Sequence, residues 1–275
     1  MDSAKFKNYI IIMLVMVNLF LLSIVVMDRN EKMELQRKAQ ADIREVYANR
    51  GIEIETPLDL SKPSQYVMTH DSEMELSAVK ALLGEVEADS PGGVISYYTG
   101  ENGSATFRSM GQFEVTFADG AHPMSDDPVG QTLKILSLLG IEGDADGARV
   151  ESGVSVTTMR TTCMWCGLPV WRSDVAATFI NGSLVRIDGF RLLDIITEQV
   201  SEEGLDVITI LIKFLELIAG SESEIEKIIE ISRGYISIST AAGDSRLDPA
   251  WRIETDKGTF FLDGLTGKRL VIAEY

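Results

Sequence analysis

Cys163-Met164-Trp165-Cys166 is the one motif in the chain that looks reactive. A thioredoxin-type pair needs its first cysteine at a helix N-terminus, where the dipole lowers the thiol pKa. Here Val154 to Thr162 reads as a strand and Gly167-Leu168-Pro169 follows, so a redox centre is not expected. Two readings stay open: a small disulfide closed by a sharp bend at Met164-Trp165, or unpaired, half-buried thiols. In a straight strand the two Cα atoms would stand ~10 Å apart, beyond bonding reach. Zinc would need two further ligands, and the chain offers only His70 and His122, far apart in loop-like contexts. Glu142-Gly143-Asp144-Ala145-Asp146-Gly147 opens like a calcium loop, but Gly153 stands where a bidentate Glu is required. A polar loop is the better reading. Two histidines support no Ser/His/Asp constellation, and no P-loop or Rossmann fingerprint is present. With 42 acids in 275 residues, a pair of carboxylates is coincidence by default. No catalytic residue, metal or cofactor is expected. Trp165, Trp171 and Trp251 fit a core better than a ligand cage.

Binding is then the remaining chemistry, and charge narrows it. The formal charge is −17, and the first seven residues carry +1 through Asp2, Lys5 and Lys7, leaving −18 for the rest. Such a chain repels phosphate backbones, which argues against nucleic acid. Two cysteines are too few for a disulfide framework, so the fold must rest on apolar burial.

The elements that would position a binding surface begin with an uncharged run, Asn8 to Met27. Its length corresponds to about 30 Å of helix, the thickness of bilayer hydrocarbon. No small-residue cleavage site follows, so residues 8–27 are expected to be an uncleaved transmembrane anchor. Lys5 and Lys7 place the N-terminus in the cytoplasm and residues 28–275 outside the cell membrane. Asn18, near the middle of the run, would need a partner for its amide. A second helix could supply one, as could its own backbone or a water. Residues 28–50, with Met33, Ala39, Ile43, Val46 and Tyr47 at helical spacing, are expected to form a stalk helix ended by Gly51.

Beyond the stalk the pattern is α+β, with antiparallel sheets each packed by one helix in three repeated helix-plus-hairpin units, 51–122, 123–200 and 201–275. The first helix opens with a capping box, Ser72 and Glu75, and stops at Gly84. The second opens at Asp127-Pro128 and ends at Gly140. The third runs from about Leu205 to Ile218 before Gly220, with a narrow wet stripe of Asp206, Thr209, Lys213 and Glu216. Asn102-Gly103 and Asn181-Gly182 supply the positive φ values of two-residue hairpins.

The closing stretch, Trp251-Arg252-Ile253-Glu254-Thr255-Asp256-Lys257-Gly258-Thr259-Phe260-Phe261-Leu262-Asp263-Gly264-Leu265-Thr266-Gly267, resembles the hairpin ending of PepSY-like domains. Together with the Met-Asp start, Val17-Asn18-Leu19-Phe20-Leu21-Leu22, Arg50-Gly51-Ile52 and Gly167-Leu168-Pro169-Val170, the chain resembles the YycI branch of the YycH/YycI family of membrane-anchored regulators. The Cys163 to Cys166 motif is a departure from that pattern. The resemblance implies a cell-envelope protein that adjusts a two-component sensor histidine kinase through protein-protein contacts, its partner being the kinase or a related YycH-like regulator. It implies no catalytic residues, and Asn18 is the one position it would map to the membrane-helix interface. The alternative is a PepSY-like envelope protein that inhibits or chaperones a protease.

Overall fold

A computed structural model describes residues 3–90, 93–219, 224–239 and 245–272. The chain opens with one unbroken helix, α1 (Ser3–Ala48), and then becomes mostly sheet. β1 (Glu53–Ile54) and β2 (Ser64–Thr69) lead into α2 (Ser72–Leu83). A meander follows: β3 (Val86–Asp89), β4 (Ile95–Gly100), β5 (Gly103–Arg108) and β6 (Gln112–Phe117). After α3 (Pro128–Leu138) come β7 (Arg149–Ser152), β8 (Val156–Trp165), β9 (Leu168–Ile180), β10 (Ser183–Phe190) and β11 (Ile195–Glu203). The chain closes with α4 (Val207–Ile218), β12 (Lys227–Ser239), β13 (Ser245–Thr255), β14 (Gly258–Asp263) and β15 (Arg269–Leu270).

These strands form one mixed sheet in two lobes. In the first lobe the order β3-β4-β5-β6-β10-β9 is antiparallel throughout and continues past β9 into β8 and β7. Both α2 and α3 cover one face of it, burying Val79, Leu83 and Leu136 against Met159, Phe179 and Ile187. The second lobe runs β11-β2-β13-β12, with β14 and β15 beyond β13. Its core joins the end of α1 and all of α4 to Ile228, Trp251, Ile253 and Leu262. The lobes meet where β12 and β9 pair in parallel, Tyr235 with Val170 and Ile236 with Trp171.

Two expectations are overturned here. Separate antiparallel sheets, each with its own helix, are replaced by one continuous sheet with parallel pairings at β1–β12 and β9–β12. The physical reason is the sheet edge: an isolated helix-plus-hairpin leaves rows of unpaired N–H and C=O groups, which merging satisfies. Thus β6 pairs with β10, and β2 and β11, on either side of the first lobe in sequence, pair with each other in the second. The expected transmembrane anchor is overturned as well. α1 is continuous, and among the described residues no helix is long and apolar enough to cross a membrane. α1 runs on from the expected span into the second core, where its last turns are packed. The first residues of the expected span, 8–12, have side chains outside the described residues.

Local signals fare differently from one another. Asp127 caps α3 by accepting from Gly130 N–H at 2.9 Å, and Asp206 caps α4 through Thr209 N–H at 2.8 Å. Asn181-Gly182 turns with both φ values positive, as expected for that hairpin. The α2 cap sits one residue earlier than the capping box suggested: Asp71 accepts from Glu73 and Met74 N–H, and Glu75 is buried. The first hairpin also shifts by one, with Gly103 already paired to Gly100, so that Glu101-Asn102 makes the turn. Gly103 is needed there for closeness: a Cβ would lie 2.0 Å from the Thr116 carbonyl oxygen. The Gly220 stop lies outside the described residues.

Candidate interaction surfaces

α1 is seated on the body of the protein by its last turns. Ile43 and Tyr47, one turn apart, are both buried. The Tyr47 hydroxyl donates to the Leu211 carbonyl of α4 at 2.7 Å, and burial raises its pKa far above the usual phenol value. Arg44 donates to the carbonyls of Ile54 at 2.5 Å and Thr56 at 2.6 Å, tying the helix to β1. α4 buries Val207, Ile210, Leu211 and Phe214 completely, while Lys213 and Glu216 pair at 3.0 Å on its wet stripe.

Between α1 and α4 an apolar groove of about 570 Å³ remains open. Val46, Ile208, Ile212 and Leu215 line it, with Asp42, Arg50 and Glu216 also on its wall. Val46 and Ile212 are 44% and 46% exposed, large values for aliphatic side chains facing each other across a helix pair. Toward its N-terminus the same helix exposes the large apolar side chains between Met13 and Leu22, then Ile24, Val25 and Met27, at 46–71%. Asn18 is exposed among them. An apolar surface of this extent is a contact surface in a protein that stays dispersed.

A second feature lies on the helix side of the first lobe. Glu75 of α2 is buried and accepts from the Tyr98 hydroxyl of β4 at 2.9 Å and from Arg191. Arg191 follows β10, is 4% exposed, and donates through its other terminal nitrogen to Asp194 at 2.7 Å. The His70 ring nitrogen Nδ1 lies 2.9 Å from Asp194 and 3.8 Å from Glu75. Burial alone would raise the Asp194 pKa; the Arg191 charge and hydrogen bonds from Asp71 N–H, Arg191 and His70 outweigh it and hold the carboxyl below its usual range. Burial, with the Glu75 hydrogen bond, pushes Tyr98 up to about 12. Two carboxylates thus face one guanidinium, with the His70 ring beside them. The cluster borders a cavity of about 520 Å³ walled by Met74, Ala78, Leu138, Ile141, Trp165 and Leu193.

Nothing in the local sequence marks Arg191 or Asp194 as partners, but one signal was available. Glu75 falls on the same helical face as Val79 and Leu82, and a charge on a buried stripe demands a counter-charge.

Both cysteines are free. Cys163 points into the first core, donates to the Phe190 carbonyl at 3.3 Å, and has its thiol pushed up to about 12 by burial. Cys166 is exposed in the β8–β9 turn, where it and Gly167 both have positive φ. Neither stands at a helix N-terminus. Asp144 closes its loop by accepting from Asp146 and Gly147 N–H. His122 stacks edge-on against Phe117, and burial lowers its pKa. Among the described residues no cluster of His, Cys, Asp or Glu could hold a metal ion.

No protein-family model and no curated protein matches the chain. Among solved structures it is similar to an uncharacterized protein from Eubacterium rectale, with TM-score 0.46 and 13% identity over 81% of this chain and 90% of that one. It is also similar to the C-terminal domain of Bacillus megaterium YpeB, with TM-score 0.35 and 10% identity over 74% of this chain and 96% of that one. With TM-scores below 0.5 and identities of 13% and 10%, neither likeness carries an argument about this chain.

Proposed function

We propose that this chain is a non-catalytic regulatory protein of the cell envelope that modulates a sensor histidine kinase through protein-protein contacts. The reading places the folded body on the extracytoplasmic side of the cell membrane, and makes α1 with the α1–α4 groove the contact surface. One observation supports it above others: a helix whose last turns are locked to a folded body while its remaining length exposes a run of large apolar side chains. Such a run is covered, in a working state, by other apolar groups. A partner's helix laid along α1 and into the groove would cover both patches at once. Coupling of ~1–3 kcal/mol between that contact and a two-state kinase is enough to shift its output by one to two decades.

The test is to isolate the chain from its native envelope and read kinase autophosphorylation with and without it. Ile212→Lys, which puts a charge in the groove on an already exposed position, should release the kinase and abolish regulation while leaving the thermal midpoint within about 2 °C. Unchanged regulation by that variant would remove the groove from the reading, and a pull-down without a kinase would remove the kinase. Recovery of a protease instead would favour the PepSY-like inhibitor alternative, for which β7 offers an exposed strand that pairs, among the described residues, on one edge alone.

A further inference from the structure

Where the lobes meet, on the sheet face opposite α2 and α3, an open groove of about 430 Å³ runs between the β7–β8 hairpin and β13–β14. Its lining carries Arg149, Arg160, Arg172 and Arg252 against Asp174 and Glu254. That is a local excess of positive charge on a chain whose formal charge is −17. Arg252 is occupied: its Nη2 reaches Glu254 at 2.9 Å and Glu230 at 3.3 Å, while its buried Nε has no partner. Among the described residues, no side-chain hydrogen bond or ion pair reaches the guanidinium groups of Arg149, Arg160 or Arg172. Asp174, the other carboxylate on the lining, already accepts from the Thr162 hydroxyl at 2.8 Å.

This arrangement is unfavourable as it stands. Arg149 and Arg160 are direct cross-strand partners, so two like charges face each other on one side of a ladder, where opposite charges would stabilise. Arg172 holds φ at +67°, a left-handed conformation that a long side chain rarely adopts. Like charges gathered at one place point to an anion that offsets their repulsion. Trp171 and Phe261, packed edge to face with ring centres 5.2 Å apart, belong to the lining, and the three arginines stand exposed around them.

We propose that this groove binds a small, multiply charged oxyanion of the phosphate class, shared among Arg149, Arg160 and Arg172. A carboxylate offers two oxygens and satisfies one guanidinium fork; a phosphate group has enough oxygens to accept from several. A long nucleic acid is disfavoured, because the acidic remainder of the surface would repel every phosphate beyond the groove. The phosphate could be free or carried on a lipid headgroup, and the chemistry of recognition is the same for both. The proposal is independent of kinase regulation and is scored on the purified chain.

The probe is pyrophosphate, measured by thermal shift and titration calorimetry against sodium chloride of equal ionic strength. At millimolar pyrophosphate the midpoint should rise by about 2–5 °C. Arg160→Gln should weaken binding by about tenfold or more, and should also raise the midpoint of the unliganded protein by relieving its repulsion with Arg149. A purely structural arginine would lower it. Arg108→Gln, on the distant strand β5, should change neither reading. If pyrophosphate has no effect but the chain sediments with phosphatidic acid vesicles, and Arg160→Gln abolishes that, the source is a headgroup and the site stands. No response to either probe, or an Arg160→Gln variant that binds as well as the parent, overturns it.

Discussion

At the scale of single residues, the buried charges of the first lobe set the sharpest expectations. Arg191 is 4% exposed between Glu75 and Asp194, which are 3% and 7% exposed, so removing the cation leaves two carboxylates without a counter-charge. Arg191→Met should destabilise the fold by about 3–5 kcal/mol in urea titrations, the usual consequence of breaking a buried pair from one side. A loss below about 1 kcal/mol would mean that water reaches the cluster. Asp194 adds a pH dependence whose sign follows from its lowered pKa. A carboxyl depressed in the folded state contributes stability that is fully present above its unfolded value of about 3.9 and is lost as pH falls through the folded value. Stability should therefore drop more steeply on acidification below about pH 4 in the parent than in Asp194→Asn, as read from urea midpoints at each pH. None of this is legible from composition: Glu75 stands where a capping box would put it, and only its position beside Val79 and Leu82 betrays a buried charge.

Among elements, α1 has two regimes. Its last turns are part of the second core, whereas the turns before them expose apolar side chains. Tyr47 is the hinge of that distinction because its hydroxyl is committed to the Leu211 carbonyl inside the core. Tyr47→Phe keeps the ring and removes a second hydrogen bond from a carbonyl that α4 already uses within the helix, so it should cost about 0.5–1.5 kcal/mol in denaturant unfolding and increase hydrogen exchange at the end of α1. Equal protection in parent and variant would show that ring packing and Arg44 alone hold the helix. Helix ends are well marked in the chain at Asp127-Pro128 and Asp206, since those side chains satisfy orphan N–H groups within three residues. The same local logic misses by one residue at Asp71 and at Glu101-Asn102, where neighbouring polar residues compete for one cap or turn.

For the whole molecule the decisive contact is the short parallel pairing of β9 with β12. Gly234 sits at this seam, where a Cβ would come within 2.5 Å of the Pro169 carbonyl oxygen and 2.9 Å of the Trp171 ring. Gly234→Val should pry the lobes apart, lowering stability by about 2–4 kcal/mol and turning one unfolding transition into two by calorimetry. A single undiminished transition would place the coupling elsewhere, in the packing of Met68, Tyr235 and Leu247 from second-lobe strands into the first core. By themselves the residues determined where helices and most hairpins begin and end, the acidic charge, and the lack of a motif for catalysis, because those depend on neighbours a few positions away. Tertiary structure alone decided that three local units share one sheet, that Glu75 meets Arg191, and that four arginines line one groove. Edges pair and charges meet across more than a hundred residues of chain, and periodicity carries no record of which distant partner will arrive.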